Sequence, residues 1–145
     1  MDNKNTRDTV AIQNIMSAYC RYVDTKQWDS LKDVIADNAR LEFQDVEGKT
    51  LYLFHGAAAL INASKDAITS LATAHHLHNP EFSFTDDEHA KAIWAMEDRF
   101  YAKNDAGRSV KVFHGYGHYH VEFVNDAGRW KIADLKLTRI RLVDY

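Results

Sequence analysis

Only one cysteine, Cys20, and one proline, Pro80, occur among the 145 residues. A lone cysteine excludes an intramolecular disulfide framework, so the fold has to be held by its core. No apolar run approaches the roughly 20 residues that a membrane span requires. The polar opening MDNKNTRDT also lacks the apolar stretch of a signal peptide. A cytoplasmic location with no membrane partner is therefore expected. Lysine and arginine are nowhere clustered, and 18 of them against 21 Asp and Glu leave a net charge of -3. That balance offers no electrostatic footprint for nucleic acid. What is present, 46% hydrophobic and 27% charged residues, is globular usage, and the length suits one domain, 1–145.

The order of elements can be read from periodicity. Ile12, Ile15, Met16, Tyr19 and Val23 recur at helical spacing and predict a helix from Thr9 to about Val23. A short helix follows from about Trp28 to Ile35, stopping near Asp37 and Asn38. "ARLEFQDV" and "TLYLF" alternate around Glu47 and Gly48 as a hairpin. Ala57 to about Ala72 reads as a third helix. Four long strands, roughly 74–85, 89–103, 109–124 and 129–142, are separated by the turn sequences TDDE, NDAG and NDAG. Helices first and an antiparallel meander after them make an α+β fold, one curved sheet wrapping over helices. The concave face of such a sheet is where a small-molecule pocket is expected.

Several residues stand out on these elements. Asp24 ends the first helix, where a carboxylate meets the negative end of the helix dipole at a small cost. Either it caps the second helix, since Asp24 to Gln27 has capping-box spacing, or it serves a site. "HHLHNP" puts His75 and Leu77 on one side of a strand and His76 and His78 on the other. A bulge at Pro80 would disturb that alternation and bring His76 in instead. In "AIWAMEDRFY", Asp98 is the single charge on a face otherwise made of Ala92, Trp94, Met96 and Phe100. Buried there it must be paired, hydrogen-bonded or protonated, with a pocket histidine and a core arginine as the candidate partners. "HGYGHYHVEF" divides into Tyr116, His118, His120 and Glu122 against Tyr119, Val121 and Phe123. Two strand histidines at i and i+2 also suit a metal. "LTRIR" supplies Arg139 and Arg141, either able to close a pocket or pair with Asp98.

Taken in order, "YCRYVDTKQWDSL", "HHLHNPEF", "AIWAMEDRFY", "GYGHYH" and "GRWKIADLKLTRIR" resemble the SnoaL-like branch of the nuclear transport factor 2-like superfamily over nearly the whole chain. The resemblance implies a cone-shaped α+β barrel, three N-terminal helices with a curved, mostly antiparallel sheet, around a deep apolar pocket. Scytalone dehydratase, bile-acid 7α-dehydratase, ketosteroid isomerase, limonene epoxide hydrolase and polyketide cyclases share that fold, and fold alone does not choose among them. It further implies Asp24 and His75 as catalytic residues joined by Tyr19, a mechanism without metal or cofactor, and hence His118 and His120 as something other than ligands. Trp94, Asp98, Phe100, Tyr116, His120 and Arg139 are the expected substrate-binding set.

On that reading Asp24 fixes the tautomer of His75, and His75 removes a proton beside a carbonyl. Tyr19, Asp98 or His120 then donates to a leaving hydroxyl or a developing enolate. The expected reaction is dehydration or double-bond isomerisation of an apolar cyclic substrate such as a steroid, polyketide or aromatic precursor. The alternatives are a non-catalytic binding or scaffold module, and a hydrolase or cyclase in the same pocket. The hydrolase relatives use an Asp-Arg-Asp arrangement whose spacing is not found here. Ile93, Tyr101, Tyr119, Val121 and Phe123, if they face outward, leave an apolar surface that a homodimer or homotrimer would cover.

Overall fold

The computed structural model describes residues 3–145, so Met1 and Asp2 of the polar opening lie outside it. Helix α1 (Asn3–Asp24) buries Ile12, Met16, Tyr19, Cys20 and Val23. It begins earlier than its apolar stripe. The first turns are polar, but a Lys4–Asp8 ion pair spans one turn at 2.6 Å. Asp8 also accepts the Trp130 indole N–H at 3.1 Å, which docks this end on the last strand. Helix α2 (Trp28–Asp33) is shorter than its pattern, because Ile35 already belongs to strand β1 (Ile35–Gln44). There Val34 accepts the backbone N–H of Ile132 at 2.9 Å, so strand pairing takes the chain away from the helix.

Strand β2 (Thr50–His55) completes the expected hairpin, and α3 (Ala57–Ile68) follows. The third helix stops short of Ala72, which instead starts β3 (Ala72–Phe84) opposite Tyr101. Alanine favours a helix intrinsically, and pairing overrides that weak preference. Strands β4 (His89–Lys103), β5 (Ser109–Asp126) and β6 (Arg129–Asp144) finish the meander. The six strands lie in the order β2-β1-β6-β5-β4-β3, antiparallel except where β1 runs parallel to β6. The result is the expected α+β cone with the sheet left open, β2 and β3 being its edges.

Cross-strand complementarity sets the inner face. Ala90 lies opposite Phe123, Ala92 opposite Val121, Trp94 opposite Tyr119, and Met96 opposite Gly117, so a large residue mostly meets a small one. Tyr119, Val121 and Phe123 are therefore core residues, each at most 2% exposed. This corrects the expectation that they face outward, and it removes three residues from the surface proposed to need a second copy. The apolar set of an alternating strand goes inward because its burial is worth on the order of 1.5–3 kcal/mol for each side chain. The polar set that alternates with it, His118, His120 and Glu122, is left on the outer face.

Candidate functional site

Asp24 and His75 meet where the C-terminal end of α1 crosses β3. The Asp24 Oδ1 atom lies 2.6 Å from His75 Nδ1 and accepts the Thr73 hydroxyl at 2.9 Å. Its Oδ2 accepts the His75 backbone N–H, also at 2.9 Å. All of these bonds run to β3. The N-cap of α2 is Gln27, which makes no side-chain cap bond, so the capping reading of Asp24 does not hold. The turn between the helices is fixed by Lys26, at φ 57°, whose Nζ donates to the Leu71 carbonyl at 2.7 Å. An ionised carboxylate only accepts, so Asp24 selects the tautomer with the proton on Nδ1 and leaves the Nε2 lone pair free. The register of β3 slips between Leu77 and Pro80, beyond the histidine, so His75 is inward and His76 exposed.

Asp98 is 2% exposed and held by both nitrogens of one guanidinium, Arg139 Nη1 to Oδ1 at 2.7 Å and Nη2 to Oδ2 at 2.9 Å. It also stands 3.9 Å from His75 Nε2, outside hydrogen-bond reach. Both partners weighed from the sequence thus converge on it, with arginine the nearer. Two glycines make the space. A Cβ on Gly115 would come 2.6 Å from Arg139 Nη1 and 2.7 Å from Asp98 Oδ1. A Cβ on Gly117 would fall 1.9 Å from the Thr138 carbonyl oxygen, at the slip where β5 and β6 change register. That slip also separates the two arginines of "LTRIR": Arg139 pairs with Gly117 and turns inward, whereas Arg141 lies opposite Tyr116 and is exposed.

These groups form the polar end of a cavity of about 220 Å³ lined by Tyr19, His75, Asp98, Tyr119 and Arg139 among apolar walls. Phe43, Tyr52 and Phe54 of the hairpin, Leu60 and Ile68 of α3, and Phe100 of β4 contribute to those walls. Phe100 sits 5.9 Å from the His75 ring. Burial pushes the hydroxyls of Tyr19 and Tyr119 well above the usual phenol range, so both stay protonated. Burial likewise pushes the Cys20 thiol up, which leaves it a poor nucleophile. Asp24 stands behind His75, on a separate surface groove that also includes Ser17, Cys20 and Arg21.

Other expected residues lie elsewhere. Trp94 is packed in the core edge-on to Phe82 and Phe123 rather than on the cavity wall. Tyr116 and His120 point to the outer face, because β5 presents its apolar set inward. Tyr116 stacks on His114 at 4.4 Å, and His120 Nε2 is 3.0 Å from the Thr138 hydroxyl. Burial, with Lys136 and His118 nearby, holds His120 below the usual histidine range. Among the described residues, no three His, Cys, Asp or Glu side chains are gathered as a metal site. The outer face has its own polar cluster, in which Glu97 meets Arg99 at 2.7 Å, His114 at 3.2 Å and His78 at 3.4 Å.

Tyr119, Thr73 and the hairpin aromatics lie at this site without belonging to the expected set. For Tyr119 a signal existed: it shares its face with Val121 and Phe123, the apolar set that belongs inside. For Thr73 the signal was its position two residues before His75 on the same face. Nothing in the hairpin sequence says that Phe43, Tyr52 and Phe54 reach the cavity.

Known proteins resemble this chain along most of its length. A curated relative from Gibberella zeae, described as a probable cyclase, FGR4, is 24% identical over 135 residues, 89% of each chain. The crystal structure of a candidate scytalone dehydratase from Novosphingobium aromaticivorans superposes with a TM-score of 0.85 at 18% identity, over 100% of this chain and 92% of the other. A hexachlorocyclohexane dehydrochlorinase, LinA type 2, does so with a TM-score of 0.82 at 18% identity, over 100% and 93%. At these identities the two structures speak for the fold. Residues 4–136 match the family described as the SnoaL-like domain, and with that match across most of its length the chain belongs to that family.

Proposed function

We propose that this protein is an acid–base lyase or isomerase that works on an apolar cyclic substrate bearing a carbonyl group, with His75 as the base and Asp24 orienting it. The observation that carries this reading is the 2.6 Å contact of Asp24 with His75 Nδ1, which leaves Nε2 at the polar end of an apolar cavity. A carboxylate on one ring nitrogen fixes the tautomer and the ring orientation, so that the other nitrogen faces the substrate as an acceptor for its proton. In dehydration, Nε2 takes the proton from the carbon beside the carbonyl. The freed electron pair becomes the new double bond as the neighbouring C–O bond breaks, and the departing oxygen takes the proton back from His75 to leave as water. In isomerisation the same proton returns to a different carbon of the dienolate. Tyr19 donates to the oxygen on which negative charge develops.

Two neighbours bear names that support elimination, since a dehydratase removes water and a dehydrochlorinase removes hydrogen chloride. The relative described as a cyclase favours a second reading, in which the enolate attacks an electrophilic carbon of the same molecule instead of expelling a group. Hydrolysis by an aspartate-activated water is less well supported. Asp98 has both oxygens bound to Arg139, and Asp24 has its own committed to Thr73 and His75.

The test needs no natural substrate. In D2O the protein should accelerate exchange of the α-protons of 2-tetralone, a neutral two-ring ketone, followed by proton NMR. His75→Ala and Asp24→Asn should each reduce that acceleration on the order of 100-fold or more, and the double variant little further, as for residues acting as a unit. Exchange as fast in His75→Ala as in the unaltered chain would reject the reading.

A further inference from the structure

We infer that Tyr119 and Tyr19 act as a pair, both hydroxyls donating to a single carbonyl oxygen, so that Tyr119 is a substrate-binding residue and the ligand is a neutral ketone or enone. The inference rests on the cavity being the substrate site, as proposed above, and is independent of whether His75 acts as a base.

Both tyrosines line the cavity, Tyr19 from α1 and Tyr119 from β5. Their rings stand edge to face with centroids 6.3 Å apart, and they are 3% and 2% exposed. The charged neighbours are already engaged, and His75 Nε2, which is not, makes no bond to either phenol. Asp98 and Arg139 satisfy each other through two bonds, and Asp24 is filled by Thr73 and His75. Among the described residues neither phenol hydroxyl has a hydrogen-bond partner. Nor is either sealed in the interior, since among the described residues no fully shielded side-chain oxygen or nitrogen lacks a partner. Two buried phenols that line one cavity with their O–H groups unspent therefore open onto that cavity. A donor in apolar surroundings without an acceptor is costly, so whatever fills the space should supply one.

The chemistry of that acceptor follows from charge and geometry. The charge of Arg139 is consumed by Asp98, so the cavity holds no free cation to offset a carboxylate. Both phenols stay protonated and therefore donate. A carbonyl oxygen has two lone pairs and can take both bonds at once. If a proton then leaves the adjacent carbon, the oxygen becomes an enolate, and hydrogen bonds to a charged acceptor are roughly twice as strong as neutral ones.

The experiment compares 2-tetralone with tetralin, the same two rings without the oxygen, by calorimetry on the full chain. Tyr119→Phe and Tyr19→Phe should each weaken the ketone about tenfold, which is about 1.4 kcal/mol. Neither should change tetralin. Because neither hydroxyl has a protein partner, both variants should keep the thermal midpoint of the unaltered chain. Unchanged ketone affinity in Tyr119→Phe would overturn the inference. So would an equal loss for both ligands, a lowered midpoint, or no ketone binding at all. Ketone binding that depends on Tyr119 without α-proton exchange would sink the acid–base reading and leave this one standing. Exchange that ignores Tyr119 would do the reverse.

Discussion

Glu97 and Asp98 are consecutive residues of one strand, each paired with an arginine and each with a histidine within 4 Å, yet they belong to different kinds of structure. Asp98 points inward and is 2% exposed, with a single bidentate partner. Glu97 points outward with its side chain 18% exposed, and three groups from three strands share it. In the outer cluster the polar groups gather on one another: Arg99 Nε lies 3.3 Å from His114 Nε2, and Tyr116 stacks on His114. On the inner face the charges cancel in pairs, while a histidine nitrogen and two phenol hydroxyls are left over beside an apolar space. Residue type does not distinguish a site from a brace. Unspent hydrogen-bonding capacity facing a cavity does.

The largest expected effect separates the two arginines. Arg139→Met leaves Asp98 buried and unpaired and should cost about 3–5 kcal/mol of stability. Arg99→Met, at a side chain 39% exposed, should cost no more than about 1 kcal/mol. Urea denaturation of both variants decides the matter, and equal losses would erase the contrast. Next in size is Gly115→Ala. Its new Cβ would crowd Arg139, Asp98 and Phe113, at 2.9 Å from the last, and overpacking of this kind costs about 1–3 kcal/mol. A thermal midpoint equal to that of the unaltered chain would mean that the ion pair yields easily and does not depend on the glycine.

The smallest effect is one of pH. Burial alone would raise the Glu97 carboxyl, but hydrogen bonds from His114, Arg99 and His78 more than offset it and hold the group below the usual glutamate range. The unfolded chain then binds the proton more readily than the folded one. This contribution to stability is complete above the ordinary value of about 4.3 and is lost as pH falls through the lower folded value. Glu97→Gln should therefore flatten the acid limb of a stability–pH profile slightly. An unchanged limb would show that the outer cluster holds Glu97 no better than water does.

The face of each strand is readable in the sequence wherever an apolar set alternates with a polar one, as in β4, where Asp98 is the single charge among apolar residues of like parity. The same rule holds in β5, where the histidines of "HGYGHYHVEF" share the polar face, which is the solvent side, and Tyr119, Val121 and Phe123 share the buried one. Histidine is informative only when its neighbours of like parity are apolar, as Leu77 is for His75. Other features lay beyond local pattern. The meeting of Asp24 with Thr73, the pairing of Arg139 with Asp98 and the parallel pairing of β1 with β6 all join distant segments, and no periodicity in one segment encodes its partner in another. Helix ends shifted for a related reason, since Ile35 and Ala72 were taken by strand pairing that outweighs their helical preference.

The parallel pairing has a consequence for how the molecule is made. Leu41 of β1 lies beside Leu135 of β6, so the hairpin that walls the cavity is joined to the rest of the sheet only by the last strand. Tyr19 and Asp24 emerge from the ribosome well before Arg139. Until β6 is in place Asp98 has no counter-charge and β1 has no neighbour besides β2. Contacts this far apart in sequence carry a large loop-closure cost, which slows their formation. The cavity is therefore assembled all at once and late, so a nascent chain holds the parts of the site without holding the site.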